Sequence, residues 1–522
     1  TRPPELVGSP RTSQFLAMPY PWPAGNTACP GRRAMGNNPG HTMSNDQLVA
    51  KVWNYAHVLR DQGISYGDYI EQITYLLFLK MDQERTEYLG EESAIPPEWN
   101  WAALVKHDGE ALERQYRRTL QALAKADGLI GTIFRKSQNK LSDPAKLKRV
   151  VSLIDSEGPW IGLDVDVKGE IYEGLLERNA SEVRSGAGQY FTPRPVIDAI
   201  VKCVDPRIGE TVCDPACGTG GFLLTAFEHM KGQSQDRDRL RKLRHGALHG
   251  VDIVDEVVRL CAMNLYLHGV GNGESPVTQG DALASNPGTR YKVVLTNPPF
   301  GKKSSFRVVG EDGEVSTERE TYERDDFKFT TSNKQLNFLQ HIMTILDTHG
   351  RAGVVLPDNV LFEAGRAGEG IRKRLLEQFN FHTLLRLPTG IWYSPGVKAN
   401  VLFFDKLPPK SDGTPITREL WVYDYRTNIH KTLKTKPLVH EDLEDFIRCY
   451  GERKETDRFR RFTYEELAKR DKLNLDIFWL KDDSLEDIDS LPTPDVLAAE
   501  IVDNLEAALE QFRNVSEQLA NL

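Results

Sequence analysis

The spacing of apolar positions changes three times along the chain. Residues 1–42 follow neither a helical nor a strand period and hold eight prolines and no lysine. Met43 is followed by Ser44-Asn-Asp-Gln47, a capping pattern, and then by Leu48, Val52, Tyr55 and Leu59 at helical spacing. The expectation is a disordered or non-native leader over 1–42, with the natural start at Met43. Helical spacing then continues to residue 168. Within it, Tyr69, Ile70, Ile73, Leu76, Leu77 and Leu79 predict a buried helix over 68–81. From residue 169 short apolar runs at 212–213, 248–251, 277–279, 293–296, 353–356, 383–387 and 401–404 alternate with helical segments. That alternation predicts a doubly wound α/β sheet over 169–480. In the segment 481–522, Ala498, Ile501, Leu505, Ala508, Phe512, Val515, Leu519 and Leu522 alternate steps of three and four, a coiled-coil-like seam. The seam suits either a partner helix or this chain's own N-terminal helices.

Charge sharpens this picture locally. The net charge of -9 excludes a uniformly basic DNA-coating protein. The segment 481–522 alone holds eleven acids and two bases. Residues 114–149 are the opposite, with ten Lys or Arg against two acids, either a solvated helix face or a phosphate-facing patch. Mean hydropathy is -0.46, and no apolar run approaches the roughly 18 residues of a membrane span. The six cysteines show neither a C-x-x-C pair nor zinc spacing, so no metal site is expected and a reducing cytoplasm is.

The chemistry sits at strand ends. Asp214-Pro-Ala-Cys-Gly-Thr-Gly-Gly-Phe222 follows one strand and precedes a helix, so its glycines let the backbone approach a ligand. A dinucleotide site is the obvious rival, and a tight structural turn is the plainer one. A pyrophosphate would suffer from the Asp214 carboxylate, and Leu223 stands where the dinucleotide pattern needs its third glycine. An acid there suits a cationic ligand end such as the ammonium of S-adenosylmethionine. Asp252 ends the second strand, where acids commonly hold ribose hydroxyls. Asp281 follows the third and could accept from an adenine amine. Each alone would be a turn cap; in series they form one constellation. Asn297-Pro-Pro-Phe300 follows the fourth strand. Its prolines remove two donors, so the Asn297 oxygen and the Pro298 carbonyl can accept from one exocyclic amine. Phe300 offers a flat face to a planar substrate extruded from its stack.

Gly188-Gln-Tyr-Phe-Thr-Pro193, Asp214 to Phe222 and Asn297 to Phe300 resemble the motifs of DNA adenine-N6 methylases, in the order of their gamma group. Ser65-Tyr-Gly-Asp-Tyr69, Tyr75-Leu-Leu-Phe-Leu-Lys-Met81, Arg351-Ala-Gly-Val-Val-Leu-Pro-Asp-Asn-Val-Leu-Phe362 and Leu387-Pro-Thr-Gly-Ile-Trp392 resemble the modification subunit of type I restriction-modification systems. The resemblance runs from about Met43 to the C-terminus. It implies a Rossmann-like class I methyltransferase sheet with an N-terminal all-helical domain (43–168) and a C-terminal docking helix. It implies methyl transfer from S-adenosylmethionine to N6 of a flipped adenine. Asn297, Pro298 and Phe300 would be catalytic. Gln189, Tyr190, Phe191, Thr192 and Pro193 would cover the methionine moiety. Asp214, Ala216, Gly218, Gly220, Gly221, Phe222, Asp252, Asp281 and Ala282 would complete the cofactor site. The implied partners are double-stranded DNA, a specificity subunit, a restriction subunit and a second modification subunit. Cytosine-C5 methylation would need a cysteine after proline, and no Pro-Cys dipeptide exists. The rivals are a protein-glutamine or RNA amino-methylase and a catalytically silent scaffold. Residues 301–333, dense in Gly, Ser and charges, are expected to form a mobile loop that orders on DNA.

Overall fold

A computed structural model describes residues 66–156, 160, 192–271, 273–300, 305–309, 315–319, 321–392, 396–433 and 435–481. The leader, the helix expected from 44, Gln189 to Phe191 and the C-terminal seam lie outside these residues.

Five helices open the described chain: α1 (Tyr66–Leu89), α2 (Trp101–Val105), α3 (Gly109–Leu123), α4 (Gly128–Phe134) and α5 (Pro144–Ser156). As its apolar run requires, α1 is central: Ile73, Leu76, Leu77 and Leu79 are fully buried. There follow α6 (Arg194–Val204), β1 (Val212–Asp214), α7 (Gly221–Lys231), α8 (Arg237–Gly246), β2 (Leu248–Asp252), α9 (Asp255–Leu267), β3 (Val277–Gln279) and β4 (Tyr291–Thr296). The charged insertion between β1 and β2 is thus the helix α8. The remaining elements are β5 (Ser305–Val309), β6 (Val315–Arg319), α10 (Lys334–Ile345), β7 (Leu346–Pro357), α11 (Asn359–Phe362), α12 (Arg366–Gln378), β8 (Asn380–Arg386), β9 (Ala399–Asp405), β10 (Glu419–Asp424), α13 (Glu444–Glu452), β11 (Phe459–Thr463) and α14 (Tyr464–Ala468), with 3-10 turns at His440–Leu443 and Asp471–Leu473.

Nine strands form one sheet in the order β11-β10-β8-β9-β7-β4-β1-β2-β3. The run β7-β4-β1-β2-β3 is parallel, β9 runs antiparallel between β7 and β8, and β11 closes the edge antiparallel to β10. Strand alternation sends side chains to two faces. Val293 and Leu295 join a core with α6, α7 and α13, whereas Val294 joins one with α10 and α12. Each face is therefore covered by helices, as near-continuous apolar strands demand.

The segment 301–333, expected as a mobile loop that orders on DNA, holds some regular structure. Its described residues include the antiparallel ribbon β5–β6, with Phe306 opposite Glu318. Beyond it, Arg324 donates to the Ala282 and Leu283 carbonyls, each at 3.2 Å, and tethers the chain to the end of β3. The alternation in Phe306-Arg-Val-Val is masked in sequence by the charges around it.

Helix α9 joins the two regions. Every residue from Val257 to Leu267 is buried, as a helix enclosed on all sides must be. Val258, Cys261 and Leu265 face the sheet, while Leu260, Met263, Tyr266 and Leu267 belong to the core of the N-terminal helices. Polar contacts reinforce the second face. Arg259 pairs with Glu71 at 2.7 Å. The Tyr266 hydroxyl donates to Asp82 at 2.9 Å and accepts from the Ala94 amide at 2.9 Å.

Burial holds the Asp82 carboxyl above its ordinary range, so it depends on donors such as Tyr266. Tyr266→Phe should lower unfolding stability by about 1–3 kcal/mol, the cost of leaving a buried acceptor short of a donor. Chemical denaturation of the full chain measures this. An unchanged midpoint would show that the Tyr266 hydroxyl does not tie the regions together.

Candidate active site

The parallel half of the sheet places four polar residues side by side. Asp214 is the last residue of β1 and Asp252 of β2; Asp281 lies two residues beyond β3, and Asn297 directly follows β4. Their strands are adjacent in the order β4-β1-β2-β3. At about 4.8 Å between strands, the row extends roughly 15 Å along the carboxyl edge. Ligands of open α/β sheets bind at this edge.

A cavity of about 290 Å³ lies over the row, lined by Asp214, Asp252, Asp281 and Asn297. Thr192, Ala216, Gly218, Gly221, Phe222 and Ala282 also line it. Gly220 sits behind the wall, and Pro193 caps α6. Pro298 is buried behind Asn297. Phe300 turns away into a second cavity with Gln335, Pro357, Asn359 and Phe362, and packs edge-on against Trp392 at 5.4 Å.

The glycines are required by geometry. Gly220 has φ +90°, and a Cβ there would come 2.8 Å from Cys261 Sγ of α9. A Cβ on Gly221 would meet Ile197 of α6 at 2.9 Å. The loop is also held from behind, where Asn264 Nδ2 of α9 donates to the Thr219 carbonyl at 3.1 Å.

Asp214 is fully buried, and burial pushes its carboxyl up to about 7. The Ala216 amide donates to it at 3.1 Å, but no cation among the described residues offsets its charge, and Asp252 adds repulsion. Asp252, also raised by burial, accepts from the Gly218 amide at 3.1 Å and the Val254 amide at 2.9 Å. Asp281 accepts from the Leu283 amide at 2.8 Å and the Tyr322 hydroxyl at 3.1 Å. Asn297 donates through Nδ2 to Thr192 Oγ1 at 2.9 Å, which fixes the amide plane. Its Oδ1 is then buried with no hydrogen-bond partner. A buried acceptor without a donor costs stability and points to a ligand donor.

One wall of the cavity carries no mark in the sequence. Leu283, Phe327 and Phe338 form a small core with Ala216, Ala282 and Tyr322 beside Asp281. Tyr322, Lys334 and Phe338 reach the cavity from beyond the β5–β6 ribbon. No motif marks them, and folding alone brings them next to Asp281.

Comparison with known proteins places this geometry in a family. Residues 163–482 match the N-6 DNA Methylase family, and residues 48–154 match the HsdM N-terminal domain. The chain is 38% identical to the type I restriction enzyme EcoKI methylase subunit of Escherichia coli strain K12, over 91% of this chain and 96% of that one. A modification subunit of a putative type I restriction enzyme from Vibrio vulnificus has a similar structure, with TM-score 0.66, 25% identity, and coverage of 83% and 94%. A chain from a study of complex assembly and conformational transition in the type I restriction-modification system gives TM-score 0.62, 27% identity, and coverage of 92% and 99%.

The raised carboxyl of Asp214 has a stability consequence. A folded-state value above the ordinary 3.8 favours folding while the group is protonated, and that contribution is lost as pH rises from 3.8 to about 7. Asp214→Asn should escape this loss. In the absence of ligand it should melt higher than the parent chain, with a margin that widens up to pH 7. A variant that melts lower at neutral pH would show that the carboxylate is satisfied by the protein itself.

Proposed function

The chain belongs to the N-6 DNA methylase family, as a DNA adenine-N6 methyltransferase of the type I restriction kind, and we propose that the row from Asn297 to Asp281 holds its substrates in order. The observation that carries this reading is the buried, unpartnered Oδ1 of Asn297 beside the buried, unneutralised carboxylate of Asp214. One group lacks a donor and the other a cation. An adenine amine and the ammonium of S-adenosylmethionine supply these.

The cavity suits that cofactor. Asp214 receives the ammonium, Asp252 the ribose hydroxyls and Asp281 the adenine amine, with the Leu283–Phe338 wall against the adenine ring. S-adenosylmethionine, when bound, supplies a methyl group on a positively charged sulfur. The protein's part is to sharpen the nucleophile. The lone pair of adenine N6 is delocalised into the ring. Asn297 Oδ1 and the Pro298 carbonyl accept the two amine hydrogens and draw that lone pair out of conjugation. Thr192 keeps Nδ2 engaged, so that Oδ1 presents itself. Phe300, with Trp392 behind it, forms the wall of the neighbouring cavity on which the extruded base stacks. Positioning and preorganised acceptors supply the rate.

Double-stranded DNA needs a positive surface. Arg114, Arg118, Lys125, Lys136 and Arg149 are exposed and form no ion pair with another described residue. Arg114 and Arg118 stand one turn apart on α3, and we assign them to backbone phosphates. The HsdM N-terminal match over 48–154 favours DNA over a protein-glutamine or RNA substrate. The relatives are themselves named as subunits. On that basis we assign this chain a specificity subunit that reads the bases, a restriction subunit, a second copy of itself, and the 498–522 seam as the docking helix. No described helix is long and apolar enough to cross a membrane.

Methylome sequencing of cells carrying this chain with and without its specificity subunit tests the activity. N6-methyladenine should appear at one motif only when both are present. Asn297→Ala should lower kcat by about 100–1,000-fold, as loss of one preorganised polar group does elsewhere. Its calorimetric affinity for S-adenosylmethionine should stay close to the parent's; near-normal turnover would remove Asn297 from the chemistry. Thr192→Val should lower kcat by roughly 2–10-fold, the worth of one hydrogen bond. Arg114→Gln with Arg118→Gln should reduce the logarithmic salt slope of duplex binding by about two. An unchanged slope would place the phosphates elsewhere.

A further inference from the structure

A separate cavity of about 620 Å³ opens at the other edge of the sheet, where β4 and β7 begin and β9 ends. It is lined by Arg290, Lys328, Arg374, Lys406 and Lys410, against two acids, Asp326 and Glu377. Both acids are already engaged. Asp326 pairs with Arg324 and accepts from the Thr344 hydroxyl, each at 2.7 Å. Glu377 accepts from the Tyr464 hydroxyl at 3.2 Å and lies 3.9 Å from Lys373.

The five cations have no carboxylate within ion-pair distance among the described residues. Lys406 Nζ donates to the Leu346 carbonyl at 2.7 Å, and Lys410 Nζ to the Pro415 carbonyl at 2.7 Å. Arg290 donates to the Thr289 carbonyl at 2.9 Å. Arg374 donates through Nε to the Gln378 amide at 3.2 Å, while its Nη1 is buried with no partner. The positive charges also press on one another: besides burial, Arg290 and Arg374 hold the Lys406 ammonium below its ordinary range. Convergent cations with an unused buried guanidinium donor form a receptor for an oxyanion, and a guanidinium fork matches phosphate oxygens in particular.

We propose that this cavity is a phosphate-binding site, with Arg374 as its central donor and Lys328 at its rim. It lies across the sheet from Asn297, so it does not take part in methyl transfer. The phosphate could belong to a free di- or polyphosphate or to a duplex backbone passing this edge, and the two sources separate by competition.

Calorimetric titration of the full chain with inorganic pyrophosphate tests the site. The parent chain should bind it. Arg374→Gln should bind at least tenfold more weakly, and Lys328→Gln, an exposed position, several-fold more weakly, with methyl transfer unchanged in both. If a short duplex displaces pyrophosphate and Arg374→Gln also weakens duplex binding, the phosphate is that of the backbone. If the duplex neither displaces it nor responds to the variant, the phosphate is free. Should Arg374→Gln melt well below the parent, Lys328→Gln decides alone. No binding of pyrophosphate, or equal binding by parent and variants, would overturn the proposal.

Discussion

A carboxylate buried without a cation is expensive, and the candidate site is arranged around one. Asp214 sits at the tip of β1, in the middle of the parallel run, with no cation among the described residues to offset its charge. The loop after it must come close without contributing bulk, which fixes Gly220 and Gly221. The loop is braced by the buried side chains of Cys217 and Phe222, and α9 holds it from behind through Asn264. Since α9 is also the helix on which the N-terminal region packs, the glycine loop and the N-terminal helices share one support.

The order of strands sets the order of the chemistry. Because β1 separates β4 from β2, the Asn297 acceptor and the Asp252 carboxylate flank Asp214 on opposite sides. Under the proposed assignment, a ligand stretched along the edge presents its cationic end near Asn297 and its ring system near Asp281. The Thr192 hydroxyl joins the two halves of the site, since it lines the cofactor cavity and also orients the Asn297 amide.

Much of this was legible in sequence, for a physical reason. Strand ends that bind ligands are marked by glycine and proline, because the backbone must turn sharply there, so Asp214, Asp252, Asp281 and Asn297 stood beside visible punctuation. All seven strands read from apolar runs form. The strands β10 and β11 escaped notice: β10 has only four apolar residues between two acids, and β11 carries two arginines toward solvent at the sheet edge. The antiparallel insertion of β9 was likewise invisible, since a buried strand has the same composition in either direction. Tyr322, Lys334 and Phe338 could not be read because their role depends on a fold-back past the β5–β6 ribbon. Arg324 fixes that return through two carbonyls, a contact without periodicity. Thr192 enters the cofactor set through the family resemblance, and its hold on Asn297 appears only in three dimensions.

Burial keeps the Asp214 carboxyl protonated below about pH 7 until a cationic ligand arrives. Proton release on binding S-adenosylmethionine measures this directly, from calorimetry in buffers of different ionisation enthalpy. About one unit below pH 7, where the cofactor amine is fully protonated, binding should release close to one proton from the parent chain, and Asp214→Asn should release none there. Binding by the parent chain with no buffer dependence below pH 7 would show that Asp214 is already ionised before the ligand arrives.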